Sequence, residues 1–167
     1  MNGKVILMEI RTANEKDLLN LWEETEESMK PTTRFFYENI QHGNADFWTW
    51  NNNDQIVGEL YVFKKLSDNE FADGIHTAYM CAFRIIRELR GQGYGTKLLT
   101  TVLEHIKDMG FKAATIGVDE TETDNIRLYK RLGFTEKIKD SFVDPCNVDE
   151  RQIPNSCGKF WLLRKDF

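Results

Sequence analysis

No apolar run in this chain reaches the roughly 20 residues that a membrane-spanning helix needs. A membrane partner is therefore not expected. The N-terminus lacks the zones of a secretory leader, since Met1-Asn2-Gly3-Lys4 opens onto only a short apolar stretch. The cytosol is the expected compartment. Cysteine is scarce. Cys81, Cys146 and Cys157 are an odd count without metal-ligand spacing, and the three histidines are scattered. The expectation is free thiols and no metal. Basic charge is also short. The net charge is −5 and no sizeable basic patch is visible, which argues against a nucleic-acid partner. An acidic surface leans, weakly, towards cationic small molecules. Two common phosphate-binding loops are missing as well. There is no Gly-x4-Gly-Lys-Ser/Thr run. Gly91-Gln92-Gly93-Tyr94-Gly95 has Thr96 where a dinucleotide fingerprint needs its third glycine, and it lies far from the N-terminus.

What is present is ordinary in amount and informative in order. The 167 residues suit one domain over 1–167 with a proper core, and 41% hydrophobic with 29% charged residues is normal for a globular chain. The most organised stretch runs from Phe83 to Leu99. Phe83, Ile85 and Ile86 read as a strand. Arg90 to Gly95 carries three glycines at alternate positions. From Thr96 the spacing of Leu98, Leu99, Val102, Leu103, Ile106 and Met109 predicts one buried face of a helix. A strand, a glycine turn and a helix start form an anion site. Glycine permits close approach, and the free N–H groups of the first helical turn converge with the positive end of the helix dipole.

Elsewhere the pattern predicts a starting strand at Val5–Arg11, a capping box at Thr12-Ala13-Asn14-Glu15, and a helix to about Met29. Phe35, Phe36 and Ile40 suggest a second helix ending near His42-Gly43. Phe47–Trp50 and Gln55–Lys64 read as a hairpin around an Asn51–Asp54 turn. A polar loop follows over Lys65–Gly74, then a strand at Ala78–Ile86. Gly110 should stop the long helix. Ala113–Val118 is the next strand. The acidic run Asp119–Asp124 opens a helix to about Leu132, ended by Gly133. Two last strands, Phe134–Ile138 and Lys159–Arg164, flank a long loop over 140–158 that could shape acceptor choice. The sum is an α+β fold, a mixed and mostly antiparallel seven-stranded sheet flanked by about four helices.

Arg90-x-x-Gly93-x-Gly95 resembles the acetyl-CoA motif of the GNAT family of N-acetyltransferases, Gln/Arg-x-x-Gly-x-Gly/Ala between a strand and a helix. A second stretch, Asn125 to Phe134, resembles the family's Asn-x-x-Ala-x-x-Leu-Tyr-x-Lys-x-Gly-Phe. Leu128-Tyr129, Arg131 for lysine, and Gly133-Phe134 match in register. Three positions depart. Glu122 stands for the family asparagine, Asn125 for the alanine, and Arg87 for a proline before the glycine turn. The element order matches over nearly the whole chain.

The resemblance implies acetyl-CoA as donor, a small-molecule or peptide amine as acceptor, and direct attack of the amine. It implies that Arg90, Gly91, Gln92, Gly93, Tyr94, Gly95 and Thr96 cradle the pyrophosphate. It also implies that pantetheine pairs with main chain near Ile85, where a backbone amide can polarise the thioester carbonyl. Asn125, one helical turn before Tyr129, is the candidate substitute for the missing asparagine amide. Tyr129 is the candidate general acid for the departing thiolate, a role worth roughly 10²-fold or more. For the general base, Glu59 is the most conspicuous acid, on an otherwise apolar strand. Asp73, His76 and Asp119 are further candidates, and a water relay would need none of them. Cys81 has no histidine spaced to activate it and reads as a buried thiol. Two other readings stay open, a CoA-binding regulatory module without transfer chemistry and a binder of a different nucleotide. The oligomeric state is open too, a homodimer included.

Overall fold

The computed structural model describes residues 7–167. Val5 and Ile6 of the expected first strand lie outside the described residues. In chain order the elements are β1 (Met8–Ala13), α1 (Glu15–Trp22), α2 (Pro31–Gln41), β2 (Ala45–Asn52), β3 (Gln55–Phe63), β4 (Thr77–Ile85), α3 (Tyr94–Asp108), β5 (Ala113–Val118), α4 (Thr123–Arg131), β6 (Glu136–Val148) and β7 (Pro154–Asp166). The strands form one seven-stranded sheet in the order β1-β2-β3-β4-β5-β7-β6. β4 and β5 run parallel, and the other neighbours are antiparallel. Two apolar layers cover the two faces. Leu98, Leu99, Val102 and Ile106 of α3 pack on Leu60, Val62, Met80 and Ile116. Leu18 of α1 and Phe36 of α2 pack on Phe47, Tyr61, Phe63 and Tyr79 on the opposite face. Alternate residues of β3 and β4 therefore serve different layers, as the two-residue period of a strand requires. No helix among the described residues is long and apolar enough to cross a membrane.

Four sequence expectations need correction. The cap of α1 is Asn14, whose side chain accepts from the Lys16 and Asp17 amides at 3.0 Å, while the Asp17 carboxylate accepts from the Asn14 amide. Thr12 is left inside β1, because Asn14 with Asp17 makes the same reciprocal box two residues later. The helix stops at Trp22 instead of Met29. Glu23 is left-handed (φ 57°), and Glu24 turns away to accept from Lys30 N (2.7 Å) and Thr33 Oγ1 (2.5 Å). An acid is disfavoured at the C-terminal end of one helix and favoured at the N-terminal end of the next. In the first hairpin, Asn51 and Asn52 belong to β2, and Asn53-Asp54 make the two-residue turn, with Asn53 at φ 56°.

The fourth correction is the largest. The expected loop over 140–158 is mostly strand, because β6 and β7 run 13 residues each and meet in a tight turn closed by Asp149. Three breaks in the β6–β7 register hid the strand alternation. At the last of them Pro145, Cys146 and Asn147 stand between the pairs Asp144↔Asn155 and Val148↔Pro154 and face no residue of β7. A proline is tolerated in such a bulge, and at a strand's first residue, where Pro154 sits. The arm is tied to the start of α2. Thr32 Oγ1 donates to Asn147 Oδ1 and accepts from Val148 N, both at 3.2 Å.

Candidate active site

After Ile85 the chain makes one 3-10 turn over Arg87–Leu89, passes Gly91 and Gly93 in left-handed backbone (φ 74° and 88°), and enters α3 at Tyr94. A Cβ at Gly91 or Gly93 would stand in open space, so backbone angle, not crowding, demands glycine there. Gly95 differs. Its Cβ would come within 2.9 Å of Phe83 Cζ, so glycine lets the first turn of α3 close onto β4. The first intrahelical bond runs from Lys97 N to Gly93 O. The amides of Tyr94, Gly95 and Thr96 precede it and are free for an anion.

Trp50, which the sequence reading took only as a strand aromatic, holds this turn from below. Its Nε1 donates to Tyr94 O at 2.8 Å, its ring meets the Tyr94 ring edge-on, and Lys97 Nζ lies over it. Trp50→Phe keeps the apolar mass and removes the hydrogen bond, worth about 1 kcal/mol. The expected result is a thermal midpoint lower by about 2–4 °C, with CoA affinity reduced several-fold as the turn loosens. An unchanged affinity by calorimetry would show that the turn holds its shape unaided.

The cleft beside this turn has a volume of about 750 Å³. It lies along the part of β4 that has left β5, between the starts of α3 and α4. Of the residues expected to bind a donor, Ile85, Arg90, Gly91, Gly93, Gly95, Thr96 and Asn125 line it. Two do not. The Gln92 side chain turns back to donate to Glu88 O (3.0 Å), and the Tyr94 ring packs on Trp50. Arg84 and Arg131 line the cleft beside Arg90, against the single acid Asp124, so its field favours an anion. Arg90 Nε is fixed to Ile85 O at 2.9 Å. Asn125 Nδ2 donates to Glu122 Oε2 at 2.7 Å, so the two departures from the family pattern are paired with each other. Phe83, Ile85, Leu89 and Leu128 give an apolar wall. The cleft thus fits a guest with phosphates at one end and an apolar arm at the other.

The cleft exists because the sheet forks. β4 pairs with β5 only from Thr77↔Ala113 to Met80↔Ile116. Between the β3–β4 pairs Tyr61↔Cys81 and Glu59↔Arg84, the two residues Ala82 and Phe83 oppose Leu60 alone, and Ala82 is left-handed at φ 52°. This bulge bends β4 away from β5. At the fork lies the Tyr79 hydroxyl, which a Cβ on Gly117 would meet at 3.0 Å. The titratable groups that act on Tyr79 are Cys81, Cys146, Asp144 and Tyr129, and burial is the chief reason its hydroxyl is pushed far above the ordinary tyrosine value. Tyr129 is 4% exposed, next to cleft-lining Leu128, with its ring tilted against Phe134 at 6.2 Å. Burial, with the Glu122 carboxylate adding to it, raises its hydroxyl above 10.

Glu59 is on the α1–α2 face and is 6% exposed. Its carboxylate accepts from Trp22 Nε1 (3.1 Å), Tyr61 Oη (2.7 Å) and Arg84 Nε (2.9 Å). The other acids singled out from sequence serve turns. Asp73 accepts from the amides of Ile75, His76 and Thr77. Burial pushes its carboxyl up, but those bonds and the neighbouring His76 outweigh it and hold it at about 2. Asp119 closes the turn before α4 through Thr121. Cys81 is a free, half-buried thiol.

A sequence model of the acetyltransferase (GNAT) family matches residues 11–134. The chain belongs to that family. A relative is the N-alpha-acetyltransferase 30 of Schizosaccharomyces pombe, 28% identical over 109 residues that make up 63% of this chain and 68% of that protein. Among solved structures, Arabidopsis thaliana NAA60 in complex with acetyl-CoA superposes with a TM-score of 0.68 at 15% identity, over 96% of this chain and 99% of that one. A GNAT acetyltransferase from Elizabethkingia anophelis with acetyl-CoA bound gives 0.65 at 19%, over 96% and 98%. At such identities these likenesses show the fold. The family and the seven-stranded GNAT architecture expected from the two motifs are the ones found, and the chain is an N-acetyltransferase of this family.

Proposed function

We propose that this GNAT enzyme transfers an acetyl group from acetyl-CoA to a primary amine of a small molecule or peptide by direct attack. The observation that carries the reading is the cationic, glycine-lined cleft along the opened edge of β4. The acetyl-CoA named with two structural neighbours supports the donor. The N-alpha-acetyltransferase among its relatives supports an amine acceptor.

When bound, acetyl-CoA supplies an acyl group activated as a thioester. The residues around it divide the remaining work. The amides of Tyr94 to Thr96, with Arg90 and Arg131, hold phosphate charge. Main chain near Ile85 orients the arm and offers an amide to the carbonyl. Tyr129 donates a hydrogen bond, then a proton, to the leaving sulfur. Glu59, expected as a base, suits another task better. Three donors already occupy its carboxylate, one of them the Arg84 guanidinium. It fixes Arg84, a lining residue of the cleft, through a bond of 2.9 Å.

Glu59→Gln should therefore keep kcat within about 10-fold, below the usual general-base contribution, while lowering the thermal midpoint. A fall in kcat on the order of 10³-fold with the midpoint intact would restore Glu59 as the base. The reading as a whole is tested by thiol release from acetyl-CoA with polyamines, aminoglycosides, simple amines and peptides bearing a free α-amine. Saturable release with one class, and an acetylated product by mass spectrometry, is the expected result. Tight CoA binding with no release from any amine would favour a CoA-binding regulatory module instead.

A further inference from the structure

We propose that Arg84 selects the acceptor by pairing with a carboxylate carried by the molecule whose amine is acetylated. This rests on the proposed acetyl transfer to an amine and names the class of amine.

A break in β4 puts Arg84 where it stands. Cys81 lies opposite Tyr61 and shares its face, the one covered by α1 and α2. In an unbroken strand Phe83 would return to that face two residues later. The extra residue at Ala82, in left-handed backbone, resets the alternation. Arg84 therefore lies opposite Glu59, and Phe83 and Ile85 turn to the α3 layer. A Cβ on Gly95 of α3 would meet Phe83 Cζ at 2.9 Å and Ile85 Cγ1 at 3.7 Å. All three residues line the cleft, and of these Arg84 alone stands on the face of α1, beside the carboxylate that holds Trp22.

One edge of the guanidinium is used and the other is free. Nε donates to Glu59 Oε1 at 2.9 Å, while Glu59 Oε2 accepts from Trp22 Nε1 and Tyr61 Oη. This network fixes the arginine before a guest arrives, which lowers the entropic cost of binding. The side chain is exposed, and among the described residues no hydrogen bond occupies either Nη. A counter-ion for Glu59 needs a single N–H, which a lysine would supply. The fork of an arginine offers two more parallel donors, and these match the two oxygens of a carboxylate. Trp22 and Tyr61 donate to the same acid, so its charge is not spent on Arg84 alone.

The anion belongs to the acceptor. In the proposed transfer the phosphates lie at the start of α3, on the face of Phe83 and Ile85. The donor fills that side of the fork, and the amine enters from the face of α1 and α2. Arg131 is on α4, whose Tyr129 packs in the α3 layer, and Arg90 is fixed to Ile85 O in the turn that leads to α3. Arg84 is left as the cation of the cleft on the entry face. An acceptor with positive charge alone would meet a like charge there, whereas one that carries a carboxylate is held.

The test uses pairs of acceptors that differ only in that charge. One pair is a free α-amino acid and its amide. The other is two short peptides with a free α-amine whose first side chain is glutamate or glutamine. For wild type the expected kcat/KM is higher by about 10- to 100-fold for the charged member of at least one pair, the size of one hydrogen bond to a charged group. The difference should lie chiefly in KM, since the carboxylate takes no part in the bond change. In Arg84→Gln the ratio should fall towards one, with CoA affinity within about twofold. Arg84→Lys keeps a cation beside Glu59, serves if the first variant does not fold, and should lose most of the preference for want of the fork. Equal kcat/KM within both pairs in wild type would overturn this inference alone. So would a preference that survives in the folded variants, whether or not CoA affinity falls with it. A wild type that releases no thiol with any amine would overturn the parent reading, and this one with it.

Discussion

Gly93→Asn is expected to weaken CoA binding by about 10- to 100-fold while moving the thermal midpoint by only a few degrees. The size follows from one hydrogen bond to a charged group, worth about 1.5–3 kcal/mol. Gly93 sits at φ 88° with open space where a Cβ would stand, and it lines the cleft. A valine there would strain the backbone as well as fill the cleft, so a loss would have two causes. Asparagine tolerates left-handed backbone better than other side chains. It therefore isolates obstruction of the anion site from damage to the turn. Gly110 supplies the control. It lies past the far end of the same helix, at φ 97°, again with nothing near its Cβ. Gly110→Asn should shift the midpoint by a similar amount and leave CoA affinity alone. Equal CoA affinity in Gly93→Asn and wild type, by calorimetry, would mean that the phosphates are held elsewhere.

The glycine turn was legible because glycine itself encodes positive φ, and because the apolar period changes from strand to helix across it. The same holds for Gly133, left-handed at φ 105° directly after α4. What sequence could not show were features set by partners far along the chain. Glu59 looked like a solvated acid, or a base, until Trp22, Tyr61 and Arg84 were found on it, 37, 2 and 25 residues away. Trp50 gave no sign of reaching Tyr94, 44 residues on. The part of β6 and β7 over 140–158 read as a loop because the bulges break alternation where Pro145, Cys146 and Asn147 fall. The arm that they form is tied back to α2, which no local pattern announces. Donor-side geometry is written in backbone angles, whereas acceptor-side geometry is written in tertiary packing.

Tyr129→Phe is expected to lower kcat on the order of 10- to 10³-fold, the range for a general acid, and to leave CoA affinity within about twofold, because the role rests on proton donation and not on binding. The ring is buried against Phe134, and phenylalanine keeps that packing. The loss should appear in kcat and in single-turnover rates, since the proton is needed only as the thiolate leaves. Burial and Glu122 raise the hydroxyl above 10, so it stays protonated through the whole range in which the enzyme can be assayed. It should therefore produce no high-pH limb of its own below about pH 10, and any limb seen there should persist in the mutant. The same shift limits how early the proton moves. A thiol near 8.5 is at least 1.5 units more acidic than this hydroxyl, so full transfer is uphill by about 2 kcal/mol or more. In the proposed mechanism Tyr129 therefore acts first as a hydrogen-bond donor to the charge growing on sulfur, with transfer completed as the bond breaks. Wild-type single-turnover rates in Tyr129→Phe, on the best acceptor from the amine panel, would reduce Tyr129 to a core residue and leave Tyr79 as the hydroxyl to test at the fork.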